Sequence, residues 1–232
     1  MNGHFSVAID GPSGAGKSTL ARRCAEEFGF IYVDTGAIYR TVGLAAFKLG
    51  TDRRDEAAVA AVLPSLDIRM GYGERGEQRM YLGGEDVSEA IRLPEISICA
   101  SDVSAHSAVR AFLMEMQRRT AREHDVIMDG RDIGTVVLPD AELKIFLTAS
   151  PEARAARRLS ELAKKGVVSD YESVLRDIRY RDSQDSGRAA APLRAAEDAV
   201  ILDNSDMGFE ESVRLVCDMI RRRRAKGSGE RA

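Results

Sequence analysis

Near the amino terminus the chain reads Gly11-Pro12-Ser13-Gly14-Ala15-Gly16-Lys17-Ser18, with Thr19 next in line, which is the spacing G-x-x-x-x-G-K-[ST]. Glycines let a backbone curl until several N–H groups face one anion. The helix that follows the loop adds the positive end of its dipole. Lys17 brings a mobile charge for the β- and γ-phosphates of a nucleotide, and Ser18 brings an oxygen for Mg²⁺. A short apolar run precedes this loop and a helical stripe follows it, the setting that separates the motif from a chance glycine-rich turn. Nucleoside triphosphate binding is therefore expected, on Gly11 through Thr19. What receives the phosphate is a separate question.

Two further charged groups follow apolar runs. The first contains Asp34, Thr35 and Arg40; the second contains Asp129, Arg131 and Asp132. In a parallel sheet, strand carboxyl ends share one ligand crevice, so both groups are expected beside the phosphate loop. Arg40 and Arg131 suit the paired oxygens of a second phosphate. Asp34 or Asp129 is expected to hold Mg²⁺ through water. Singly, each acid reads as a cap and each arginine as a surface ion pair; two such groups in one chain with this loop point to a second, polar ligand. Arg181, Asp185 and Arg188 stand at i, i+4 and i+7, on one helical face if a helix outlasts Gly187. They close a stretch that also holds Arg154, Arg157, Arg158, Arg176 and Arg179. A flap so rich in arginine would neutralise a transferring phosphoryl group and exclude water when closed. Arg157 is placed on the ATP side of it.

These groups need a frame. Continuous apolar runs at residues 4–9, 31–33, 125–128, 143–147 and 199–202 read as strands covered on both faces. Helical stripes lie between them: Leu20, Ala21, Cys24 and Phe28; Ile38, Val42 and Leu49; Val109, Phe112, Leu113 and Met116; Phe209, Val213, Val216 and Ile220. Ser150-Pro151 reads as a cap and first helical residue. The alternation predicts an α/β fold with a parallel sheet and right-handed crossovers. Residues 66–90, with five glycines, interrupt it as a small antiparallel insertion.

The 232 residues are 44% hydrophobic and 31% charged, enough to build a large core, and whole-chain disorder is excluded. Thirty-four Lys and Arg against 37 Asp and Glu leave a net charge of −3, which argues against a general nucleic-acid binder. There is no apolar run of about 18 residues and no signal-peptide pattern. Cys24, Cys99 and Cys217 are odd in number and lack metal spacing, so buried reduced thiols and a cytoplasmic, soluble protein are expected. His4, His106 and His124 are expected to be structural or at the surface. The tail after Ile220 is poor in apolar residues and is expected to fray.

Five stretches taken together resemble the bacterial cytidylate kinase family of nucleoside monophosphate kinases. They are IDGPSGAGKST (9–19), VDTGAIYR (33–40), LGGEDVSEAIR (82–92), MDGRDIGTVVLPDAELKIFLTAS (128–150) and RDSQDSGRAAAPL (181–193). The resemblance implies a five-stranded parallel core, an inserted monophosphate-binding region and a short lid. It divides the chain into core at 1–35, monophosphate-binding region at 36–105, core at 106–153, lid at 154–188, and core with tail at 189–232. It implies transfer of the γ-phosphoryl of ATP to CMP or dCMP with Mg²⁺, by a monomer. Arg40 and Arg131 would hold the CMP phosphate, with Asp34 and Thr35 lining that site. Ser101, Arg110 and Asp132 would read cytosine. Arg181 and Asp185 would reach the sugar, with Arg188 near the acceptor. Lys17, Arg131, Arg181 and Arg188 would act on the transferring group. Thr35 stands where many relatives have Ser, and Ser18-Thr19 where some have Gly-Thr, so either hydroxyl could meet Mg²⁺. The transfer should be direct and in line, and no nucleophile is nominated.

Three rival readings remain at this level: a kinase for another monophosphate such as UMP or AMP, a nucleotide switch, and a nucleic-acid module resting only on Arg221–Arg224. A switch has no use for a second arginine group. The basic run is better read as a solvated helix end that complements the dipole.

Overall fold

The computed structural model describes residues 4–74, 76–164 and 166–229. In chain order the elements are β1 (Ser6–Asp10), α1 (Lys17–Phe28), β2 (Ile31–Asp34), α2 (Thr35–Lys48), α3 (Glu56–Val62), β3 (Ile68–Tyr72), β4 (Gln78–Leu82), β5 (Glu85–Asp86), α4 (Pro94–Val103), α5 (Ser107–Glu123), β6 (Val126–Gly130), β7 (Leu143–Thr148), α6 (Pro151–Lys164), α7 (Tyr171–Ser186), β8 (Val200–Asp203) and α8 (Phe209–Gly229). Five strands form one sheet in the order β2-β6-β1-β7-β8, every neighbouring pair parallel. This is the α/β fold with a five-stranded parallel sheet that the apolar runs predict.

Side chains alternate across the sheet, and that alternation makes two cores. Ala8, Val33 and Met128 face α2, α4 and α5, where Ile38, Val42, Val103, Val109 and Leu113 are buried. Val7, Ile9, Tyr32, Ile127, Ile145 and Leu147 face the other way, onto α1 and α8, where Leu20, Cys24, Val213 and Val216 are buried. Residues 68–86 form a separate antiparallel sheet, β3-β4-β5, as the glycine-rich turns predict. The hairpin of α6 and α7 has a small core of its own: Ala155, Val174, Leu175 and Ile178. Ser150 Oγ accepts from the N–H of Ala153 at 3.1 Å, the expected cap of α6.

Several details differ from expectation. Every core strand runs one or two residues further than its apolar run and ends on a polar residue or glycine: Asp10, Asp34, Gly130, Thr148 and Asp203. Those residues still pair across the sheet, as Asp10 does with Gly130 and Asp34 with Asp129. Leu49 lies beyond α2 and is 57% exposed, and Phe112 and Phe209 are also exposed. α7 stops at Ser186, where the N–H of Gly187 bonds the carbonyl of Ser183, so Arg188 lies past the helix. The basic run does not fray: α8 continues to Gly229. Arg221 pairs with Glu27 and Asp218, and its guanidinium lies over Phe28, while that of Arg224 lies over Phe30. Residues 230–232 of that tail lie outside the described residues.

Candidate active site

The site is built on the carboxyl ends of β1, β2 and β6. Between β1 and α1 the loop 11–16 passes so close to β7 that a Cβ on Gly11 would sit 1.9 Å from the carbonyl oxygen of Leu147. Gly11 also has φ +149°, a conformation that glycine alone adopts freely. α1 opens at Lys17, and the Lys17 ammonium donates to the carbonyl of Pro12 at 2.8 Å. Burial, and then Arg131, push the Lys17 pKa down to about 7 against the pull of Asp129, Asp10 and Asp185. Ser18 Oγ donates to Asp129 Oδ2 at 3.0 Å, whereas Thr19 is exposed.

Asp129 is wholly interior. It also accepts from Tyr32 Oη at 2.8 Å, and its carbonyl accepts from Thr35 Oγ1 at 2.8 Å. Burial, followed by the charge of Asp34, raises its pKa. A buried carboxylate facing a loop hydroxyl is a donor set that suits a hard divalent cation carried in on phosphates. Among the described residues no cluster of three His, Cys, Asp or Glu exists that would hold a metal by protein ligands alone. Asp34 is differently committed. Oδ1 caps α2 by accepting from the N–H of Ala37 at 2.9 Å, and Oδ2 accepts from Arg92 at 2.9 Å, with Arg40 at 3.8 Å. Burial opposes its ionisation, but Arg40 and Arg92 outweigh it and lower its pKa. The structure puts Ser18 and Asp129 together at the loop, and Asp34 at the start of α2 between Arg40 and Arg92.

Arg131 is the hub of the cations. Its Nε donates to Asp185 at 2.6 Å, and Asp185 also pairs with Arg188. The charge of Arg131 bears on Lys17, Arg40, Arg181 and Arg188 alike. Loss of hydration lowers the pKa of Arg40, Arg181 and Arg188, and neighbouring arginines add to the shift. Arg40 Nη1 is buried with no hydrogen-bond partner. Arg181 lies on the exposed side of the cleft, its Nη1 3.4 Å from Ser13 Oγ. Like charges this close are costly unless a polyanion balances them.

A third group lies behind Arg131. Arg110 and Asp132 are buried and paired with each other; Arg110 also donates to the carbonyl of Ser104 at 3.2 Å and stacks on Tyr39 at 5.6 Å. Ser101, half-buried on α4, accepts from Ser104 Oγ through its carbonyl at 2.9 Å. Arg157 is drawn instead behind the phosphate loop: it donates to Asn204, which donates to the carbonyl of Ala15 at 3.1 Å. The histidines lie off the rim: His106 bonds the carbonyl of Arg53, and His4 stands beside Asp125 and His124.

Sequence reasoning missed several participants. Asp10 accepts from the N–H groups of Ile133 and Gly134, both at 2.7 Å; burial raises its pKa to about 6 against those bonds. Gln78 pairs its amide with the backbone of Asp34, and Arg92 and Tyr32 reach the two rim acids. Arg154 and Asp182 meet behind the loop. Asp10 could have been found as the acid ending the first apolar run, and Arg154 is legible only as one arginine of the flap; for the others the signal lies in the fold alone.

The family model described as "Cytidylate kinase" matches residues 7–222. A cytidylate kinase of Caldicellulosiruptor bescii is 49% identical over 215 residues, covering 93% of this chain and 95% of its own. One from Pelotomaculum thermopropionicum is 48% identical, covering 93% and 96%. One from Caldanaerobacter subterraneus subsp. tengcongensis is 49% identical, covering 96% and 97%.

Proposed function

The chain belongs to the cytidylate kinase family and transfers the γ-phosphoryl group of ATP to CMP or dCMP; we propose that it does so by in-line displacement among the cations around Arg131. The observation that supports this most is the set of Lys17, Arg40, Arg131, Arg181 and Arg188 at one cleft, whose mutual repulsion Asp34 and Asp185 offset in part and a triphosphate facing a monophosphate would offset further. Lys17 and the loop N–H groups hold the β- and γ-phosphates. Ser18 directly, and Asp129 through water, would hold Mg²⁺, which would supply charge neutralisation for the triphosphate. Arg40, whose Nη1 faces Asp34 at 3.8 Å without a hydrogen bond, and Arg131 clamp the acceptor phosphate beside Thr35.

Ser101, Arg110 and Asp132 read the base. An ionised Asp132 only accepts, so it suits the N4 amino group of cytosine and repels O4 of uracil; Arg110 only donates, which suits N3 and O2. Asp185 and Arg181 reach the sugar, and Arg188 helps to close the site. A monomer belongs to the same reading. An odd number of cysteines, three, without metal-site spacing favours a reducing cytoplasm. The division into core, monophosphate region at 36–105 and lid at 154–188 belongs to the same reading.

The test is ADP release against CMP, dCMP, UMP and AMP at one ATP and Mg²⁺ concentration, for wild type and Asp132→Ala. Wild type should prefer the cytidine nucleotides, and the variant should lose kcat/KM for CMP far more than for UMP. An unchanged ratio would remove Asp132 from base reading; no acceptor-dependent ADP at all would overturn the kinase reading.

A further inference from the structure

One buried arginine, unused by any role assigned above, ties the phosphate loop to α7. Arg154, in the first turn of α6, is 3% exposed. Its Nε donates to the carbonyl of Ala149 at 2.9 Å and its Nη1 to the carbonyl of Ser13 at 3.0 Å. The same guanidinium forks onto Asp182 of α7, at 2.9 Å and 2.6 Å. Its stem backs the loop closely enough that a Cβ on Gly14 would lie 3.5 Å from its own Cβ. Asp182 directly follows Arg181, whose Nη1 faces Ser13 Oγ. Two consecutive residues of α7 thus address one loop residue, Arg181 directly and Asp182 through Arg154.

The other polar links of α7 to the rim run through groups the substrates would claim. Asp185 holds Arg131, and both are assigned to the acceptor. When nucleotides bind, that pair must give up part of its bonding. The guanidinium of the Arg154–Asp182 fork hydrogen-bonds the loop through the carbonyl of Ser13 and not through the N–H groups that the phosphates use. A bidentate guanidinium–carboxylate pair is also rigid in direction, which a single point charge is not.

We propose that Arg154 and Asp182 are positioning residues that set Arg181 relative to the phosphate loop during transfer. The inference rests on the kinase reading and on Arg181 facing the transferring group. Its signature is dependence: Asp182 should matter for turnover only while Arg181 is there to be positioned.

The experiment measures kcat, both KM values and melting temperature for wild type, Asp182→Ala, Arg181→Ala and the double variant. Asp182→Ala should lower kcat on the order of tenfold to a hundredfold, as misplacement of a catalytic group does, with the ATP KM changed less than about threefold. In the Arg181→Ala background the same substitution should lower kcat by less than about threefold. Asp182→Asn, which keeps shape and one acceptor, carries the same comparison if the alanine variant fails to fold. Arg154→Lys, which keeps the charge and loses the fork, should match Asp182→Asn. Equal losses in both backgrounds, an unchanged kcat in Asp182→Asn, or full activity in Arg181→Ala would each overturn the inference. Wild-type ADP release with CMP reports on the kinase reading separately.

Discussion

The strand rim and the α6–α7 hairpin both present charge to the same cleft, but they are held by different forces. Asp10 and Asp34 end, and Asp129 stands next to the end of, parallel strands whose apolar residues are buried in the two cores on either face of the sheet. Their positions are fixed by folding itself. The hairpin rests on four buried residues and on ion pairs: Arg154–Asp182, Arg131–Asp185 and Arg179–Glu152. The rim therefore has its geometry before any ligand arrives, whereas the hairpin's geometry is written partly in charges that a ligand can rewrite. Regions that must move are drawn from the less stable parts of a fold.

The largest test of this contrast is Lys17→Ala. It removes a rim charge without removing core, so kcat/KM should fall about a thousandfold, as for loss of a preorganised electrostatic group, while the circular dichroism spectrum stays native. An unfolded variant would show that the rim depends on its own charges.

A matched pair of core truncations comes next. Ile145→Ala on β7 lies in the large core at 1% exposure and should cost about 3–5 kcal/mol in urea unfolding. Leu175→Ala lies in the hairpin's small core and should cost under about 1 kcal/mol globally while speeding amide exchange in α7. Equal losses would make the hairpin part of the same cooperative unit, and the contrast would fail.

The smallest effect is a proton. With the Lys17 pKa near 7 in the free protein, its amine is mostly neutral at pH 8. Phosphate beside it favours the charged form, so ATP binding should take up to about one proton there, and affinity should fall by at most about tenfold per pH unit above 7. Calorimetry in two buffers of different ionisation heat reads the uptake, and Lys17→Met should abolish it. No uptake would mean that the rim holds Lys17 charged throughout.

The same contrast explains what was legible in the sequence. Strands announce themselves by apolar runs, and all five lie in the sheet, but β8, at its edge, is not covered on both faces as its run predicts: Val200 and Ile201 are exposed and Leu202 is buried; each run stops short because the residues that end the strand are polar or glycine. Asp10 and Asp34 are strand and site at once, so an apolar pattern stops where function begins. Glycine-rich turns marked the antiparallel insertion, and the phosphate loop announced itself by spacing. The hairpin read only as an excess of arginine. Nothing local separates Arg154, which is buried, from Arg158, which is exposed. Arg154 is made distinct by Asp182, 28 residues away, as Asp34 is by Gln78 at 44 and Arg92 at 58. Pairings at such separation are products of topology.

The amide of Gln78 has a consequence outside catalysis. β2 is an edge strand, and at Asp34 its N–H and C=O point away from β6, toward the open side of the sheet. There Gln78 Oε1 accepts from that N–H at 2.7 Å and Gln78 Nε2 donates to that carbonyl at 3.2 Å. A side-chain amide thus stands in for the peptide group of a missing sixth strand. Unpaired strand edges invite another chain to add itself and begin aggregation. The antiparallel insertion thus closes the edge of the main sheet at the residue where β2 ends and α2 begins.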